Sequence, residues 1–174
     1  MTAVTSPFTE PSRCKRLKAA SSRDHDSVDQ LVMAARPFEN RERYGRFLQV
    51  QHRFHGSLLA LYQDEQLNQQ LPGLAALSRF AAVEADLRDL GLSLPTSTQP
   101  VCVSSAQALG WLYCSEGSNL GAAFLYKHTQ RLGLEGDKAP ATWPLTRMAE
   151  RCIGAHLLPG WTAWCLGIRK KQRW

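Results

Sequence analysis

SSAQALGWLYCSEGSNLGAAFLYKHTQRL, residues Ser104–Leu132, is the stretch on which the fold turns. Ala108, Leu109, Leu112, Ala122, Leu125 and Leu132 recur at helical spacing. Yet Gly117, Ser118, Asn119 and Gly121 sit in the middle of the run, and each interior glycine costs a helix about 1 kcal/mol against alanine. Two readings stay open at this point. The segment is a loop between two helices, or it is one helix bent at a Gly-Ser pair, with bare backbone lying close to a flat ligand.

Upstream, the chain keeps to the same period. A helix is expected from near Ser12. Leu17, Val28, Leu31, Val32 and Ala35 repeat at helical intervals, and Pro37 ends the run. His25 shares that stripe, so it is expected to point to the core. On its own this is a core histidine or a ligand-binding one. Asn40 is a plausible N-cap for a second helix lined by Tyr44, Phe47, Leu48, Phe54, Leu58, Leu61 and Tyr62. A short helix over Asp64–Leu71 stops at Pro72. Leu74, Leu77, Ala81, Leu87 and Leu90 predict a further helix, with Gly91 at its C′ position. Residues 91–103 form a loop with two prolines. No strand pattern occurs, so the expected fold class is all-α.

A chain of 174 residues is long enough for one domain with a real core. No apolar run reaches a bilayer's width, and the N-terminus lacks a signal-peptide pattern, so a cytoplasmic protein without membrane contact is expected. The five cysteines are odd in number and form no CxxC pair, which speaks for reduced thiols. The net charge of +6 is concentrated. Residues 141–174 carry Arg147, Arg151, Arg169, Lys170, Lys171 and Arg173 against Glu150 alone, leaving the rest of the chain nearly neutral. That balance argues against a nucleic-acid partner.

Two runs now become recognisable together. GWLYCSEGSNLGAAFLYKH (Gly110–His128) resembles the distal helix of bacterial heme oxygenases of the iron-acquisition type. KRLKAASSRDHDSVDQLVMAARPF (Lys15–Phe38) is similar to their proximal helix. YGRFLQVQHRFH and the DLRDLG segment between them also look like that family, and the likeness covers roughly residues 13–135. It implies a helical bundle with heme between a proximal helix and a kinked distal helix. His25 then stands at the axial iron ligand, with Asp29 one turn on as acceptor for the other ring nitrogen, a contact that fixes the tautomer. Gly117 and Gly121 match the glycines that let the backbone approach heme, Ser118 and Asn119 line the O2 pocket, Lys18 pairs with a propionate, and Tyr113 reaches a propionate or distal waters. His52, His55, His128 and His156 remain structural or surface residues.

The implied activity is O2-dependent opening of heme to biliverdin, CO and ferrous iron, with heme as both substrate and cofactor. No flavin or iron–sulfur motif is present, so a separate reductase or ferredoxin is expected to supply electrons. A monomer is expected. A heme storage or trafficking protein without turnover is the alternative, and an inactive truncated product is another.

The chain divides into a disordered leader (1–11), an incomplete heme oxygenase-like domain (12–140) and an atypical tail (141–174). Trp143, Trp161, Trp164 and Trp174 crowd into that tail with the excess charge, and it has neither an amphipathic period nor a likeness to the family, whose C-terminal helices it lacks. With GC-rich codons assigned from Ala141 onward, another frame translates to a family-like connection and a Leu-rich helix. The expectation is that the reading frame is lost near residue 140. A basic, Trp-rich module for nucleic acid or an acidic partner is the competing account of the same tail.

Overall fold

The computed structural model describes residues 13–96, 98–118, 128, 129 and 131–134. Among these, the secondary structure is helical and without strands: α1 Arg13–Ala34, α2 Arg41–Gln63, α3 Glu65–Gln70, a 3₁₀ turn Leu74–Leu77, α4 Phe80–Asp89 and α5 Ser105–Ser118.

Local chemistry sets most of the boundaries. The chain leaves α1 through Arg36, in the left-handed region at φ 50°, followed by Pro37. Asn40 then caps α2, its side-chain oxygen accepting the Arg43 N–H at 2.9 Å. Asp64 caps α3 in the same way, accepting from the Leu67 N–H at 2.7 Å. Gly91 closes α4 at φ 70°. Its N–H donates to the Arg88 carbonyl and the Leu92 N–H to the Leu87 carbonyl, the paired bonds of a Schellman ending.

The segment expected as one helix from Leu74 to Leu90 is in fact broken. Leu74–Leu77 is a tight 3₁₀ turn, entered through Gly73 at φ 90° and left through an extended Ser78 at ψ 131°. The Asn68 side chain accepts the Ala75 N–H at 3.0 Å. This tie to α3, together with burial of Leu74, fixes the turn and delays α4 until Phe80.

Helix α2 is the hub, packing against α4, α5, α3 and the 3₁₀ turn. One apolar cluster joins Leu58, Leu61 and Tyr62 of α2 to Leu67, Leu71, Leu74, Ala108 and Leu112. A second joins Tyr44 and Leu48 to Val83, Leu87 and Leu134. Gly45 and Gly56 lie three turns apart on the same side of α2. A Cβ on Gly45 would overlap Leu92 Cδ1, and one on Gly56 would overlap Thr98 Cγ2 and Phe80. The bare backbone at these two sites lets Leu92 and Thr98 lie down on α2, and the Val101 N–H donates to the Ser57 carbonyl at 3.0 Å.

Candidate functional site

Helix α1 departs from the expectation that its apolar stripe, His25 included, faces the core. None of its described side chains is buried. The His25 side chain is 68% exposed, and Val28 and Leu31 are 57% and 69% exposed. Among the described residues, α1 packs extensively against no other helix. The segment is helical, as its period predicts. It does not say whether the stripe meets protein or something the chain does not contain.

Lys18, His25, Asp29 and Val32 fall on one side of α1, at intervals of seven, four and three residues. His25 Nδ1 lies 3.2 Å from Asp29 Oδ2 and 4.0 Å from Asp26 Oδ1. A neutral imidazole in that arrangement carries its proton on Nδ1, donated to Asp29. Nε2 is then left as a lone-pair donor for a metal. Lys18, two turns earlier, is exposed.

On α5, Gly110 and Gly117 lie two turns apart on the same side, with Tyr113 and Cys114 between them. A Cβ on either glycine would meet nothing within 4 Å, and neither has a positive φ. Neither backbone conformation nor packing within the described chain therefore accounts for a glycine at 117. Ser118, the last residue of α5, donates to the Ser115 carbonyl at 2.7 Å. Tyr113 packs half-buried against the first core cluster. Asn119, Gly121 and the expected bend lie outside the described residues, as do the leader and the tail. His128 stacks on Phe38, with ring centroids 5.4 Å apart.

Some buried polar residues near the end of α5 were not singled out from sequence. The Tyr62 hydroxyl is hydrogen-bonded to Ser115 Oγ at 2.8 Å and Glu116 Oε1 at 2.6 Å. Burial, reinforced by the Glu116 charge, holds the phenol proton far above its ordinary range. The signal was present, because a buried tyrosine needs a partner for its hydroxyl. Which partner it finds is a tertiary fact. His52 and His55, expected to be structural or surface residues, are both buried. His52 packs on Phe80 with Nε2 3.6 Å from Glu84 Oε1. Burial, with Arg79 adding to it, pushes His55 down to about 4.

The exposed imidazole with its carboxylate partner, the apolar flank of Val28 and Val32, and a glycine with open space above it suit a flat, apolar, metal-bearing ligand. Among the described residues there is no cluster of three or more His, Cys, Asp or Glu able to hold a bare metal ion. One axial imidazole is nevertheless enough where a macrocycle supplies the other four ligands. No described helix is long and apolar enough to cross a membrane. Cys102 and Cys114 are free thiols.

Comparison with known proteins bears on this arrangement. The family model described as heme oxygenase matches residues 12–149. The heme oxygenase PigA of Pseudomonas aeruginosa is 42% identical over 126 residues, covering 71% of this chain. The match spans 64% of PigA's own length. Among solved structures, the NO- and CO-bound heme oxygenase from Neisseria meningitidis aligns with a TM-score of 0.77 and 36% identity, over 92% of this chain and 79% of that one.

Proposed function

The chain belongs to the heme oxygenase family, and on that premise we propose that it binds heme through His25 and opens the porphyrin oxidatively to biliverdin, CO and ferrous iron, releasing iron for bacterial use. The observation that carries the reading is His25 itself. It is a largely exposed histidine on an apolar-flanked helix face, its Nδ1 3.2 Å from Asp29 Oδ2.

Bound heme would be both substrate and cofactor, and it would supply the reaction with O2 once electrons arrive from a separate reductase or ferredoxin. The chain's own part is placement. Asp29 holds the His25 proton on Nδ1 and orients the ring. Lys18 offers a cation for a propionate. Gly117, with Gly121 as the family likeness assigns it, would leave room for heme, and Ser118 and Asn119 would offer it small polar groups. Tyr113 contributes a hydroxyl to a propionate or to distal water. The enzyme works as a cytoplasmic monomer.

Titration of the chain with hemin, followed by ascorbate or a reductase under air, tests this. A Soret band should form, then decay as a broad red biliverdin absorbance grows. His25→Ala should weaken hemin binding by about 100-fold or more and leave the melting temperature of the free chain unchanged, because the side chain is exposed. Undiminished binding by that variant would sink the assignment. A stable Soret band in the wild type would mark a carrier instead.

We also infer that residues 141–174 are translated out of frame. The abrupt gathering of Trp and basic residues supports this. The nucleotide sequence around codon 140 decides the point: no family-like alternative frame there would dispose of it.

A further inference from the structure

We propose that Tyr62 is a positioning residue for the glycine-bearing end of α5: its hydroxyl, bound to Ser115 and Glu116, sets the rotation of that helix and so the height at which Gly117 meets the porphyrin. The proposal rests on the heme reading above and adds to it a residue that never touches the ligand.

The composition of α5 leaves its rotation weakly determined. Leu109, Trp111, Leu112 and Tyr113 follow one another, so apolar side chains run around the helix rather than along one stripe. Leu112 is fully buried while Trp111 is exposed, and Ala108 and Ser115 are the other buried residues of α5. Neither Ala108 nor Ser115 is bulky enough to key the helix by shape. The bonds from Tyr62 supply a directional contact. Tyr62 is 1% exposed near the end of α2, and it reaches two consecutive α5 residues, 53 and 54 positions away in sequence.

A phenol has one proton to donate. At 2.6 Å from Glu116 Oε1, that proton belongs to the bond with the carboxylate, and the Ser115 hydroxyl, 2.8 Å away, completes the phenol's coordination. Ser115 and Glu116 stand about 100° apart round the helix, so a turn of α5 disturbs this pair of bonds. Gly117 is two residues beyond Ser115, about 200° round the helix, which puts it on the open side of the turn whose inner side is anchored. With Cα atoms about 2.3 Å from the axis, a 20° rotation moves Gly117 by about 0.8 Å. That is enough to change how closely its backbone approaches a flat ligand.

Full-length wild type, Tyr62→Phe, Glu116→Ala and Glu116→Gln are each loaded with hemin. The Soret maximum and high-spin fraction are recorded, together with amide hydrogen exchange in α5. Tyr62→Phe and Glu116→Ala should both shift the spectrum and speed exchange over residues 112–118 by about fivefold or more. Glu116→Gln keeps an acceptor oxygen for the phenol and should stay close to wild type in both readouts. A wild-type spectrum in Tyr62→Phe, or a shift in Glu116→Gln as large as in Glu116→Ala, overturns the proposal, whatever happens to melting temperature. If wild type itself fails to bind hemin, the heme reading falls and takes this one with it.

Discussion

α1 and α2 are nearly equal in length, at 22 and 23 residues, and both carry apolar residues at helical spacing. α2 buries nine residues, whereas α1 buries none among its described side chains. The same periodicity thus serves two ends. In α2 it builds the protein's interior. In α1 it lines an exposed surface, and His25, Asp29 and Lys18, the residues of the proposed heme site, are all on that helix.

The largest test of this contrast sets Leu58→Ala on α2 against Leu31→Ala on α1. Leu58 is fully buried, and its truncation should cost about 2–5 kcal/mol of unfolding free energy. Leu31 is mostly exposed, and its truncation should stay within about 0.5 kcal/mol. Urea denaturation of the heme-free chain reads both. Equal losses would mean that α1 is packed after all.

Acid sharpens the contrast from the α2 side. His55 has a folded pKa of about 4 against 6.5 for the free side chain. The unfolded chain therefore takes up a proton at pH values where the folded one does not. Stability should be full above about pH 6.5, fall as pH drops, and have lost about 3 kcal/mol from this residue near pH 4. His55→Gln should flatten that slope in a pH series of denaturation curves. A slope unchanged in the variant would show that His55 is not responsible.

Smaller effects belong to single hydrogen bonds. Asp29→Asn should weaken hemin binding by about tenfold while leaving heme-free stability alone. An equal loss of stability in the free chain would assign Asp29 to the fold instead. Asn40→Ala removes the α2 cap and should cost about 1 kcal/mol in the same denaturation assay, with hemin affinity untouched.

What the sequence made legible was local. Pro37, Asn40, Asp64 and Gly91 act through their own backbone or a neighbour's, so the helix boundaries they set could be read along the chain. The break at Ser78 could not, because it depends on the Asn68 side chain reaching forward to Ala75. Gly45 and Gly56 are explained only in three dimensions, by Leu92 and Thr98 lying against them. His25 lies on the expected helix but faces outward, not to the core, since periodicity specifies a face without naming what the face meets. The Tyr62 contact with Ser115 and Glu116 joins residues more than fifty positions apart and leaves no trace in spacing.

The connection between α4 and α5 illustrates the opposite of what its composition suggests. Proline-bearing and without regular structure, it has the look of a tether that tolerates nicking and added sequence. Inlaid over two missing side chains on α2, it behaves as a fixed spacer instead. Proteases should find it a poor substrate in the native protein. An epitope tag inserted between Leu92 and Thr98 should unseat α5, and changing either glycine to alanine should do from below what the insertion does from above.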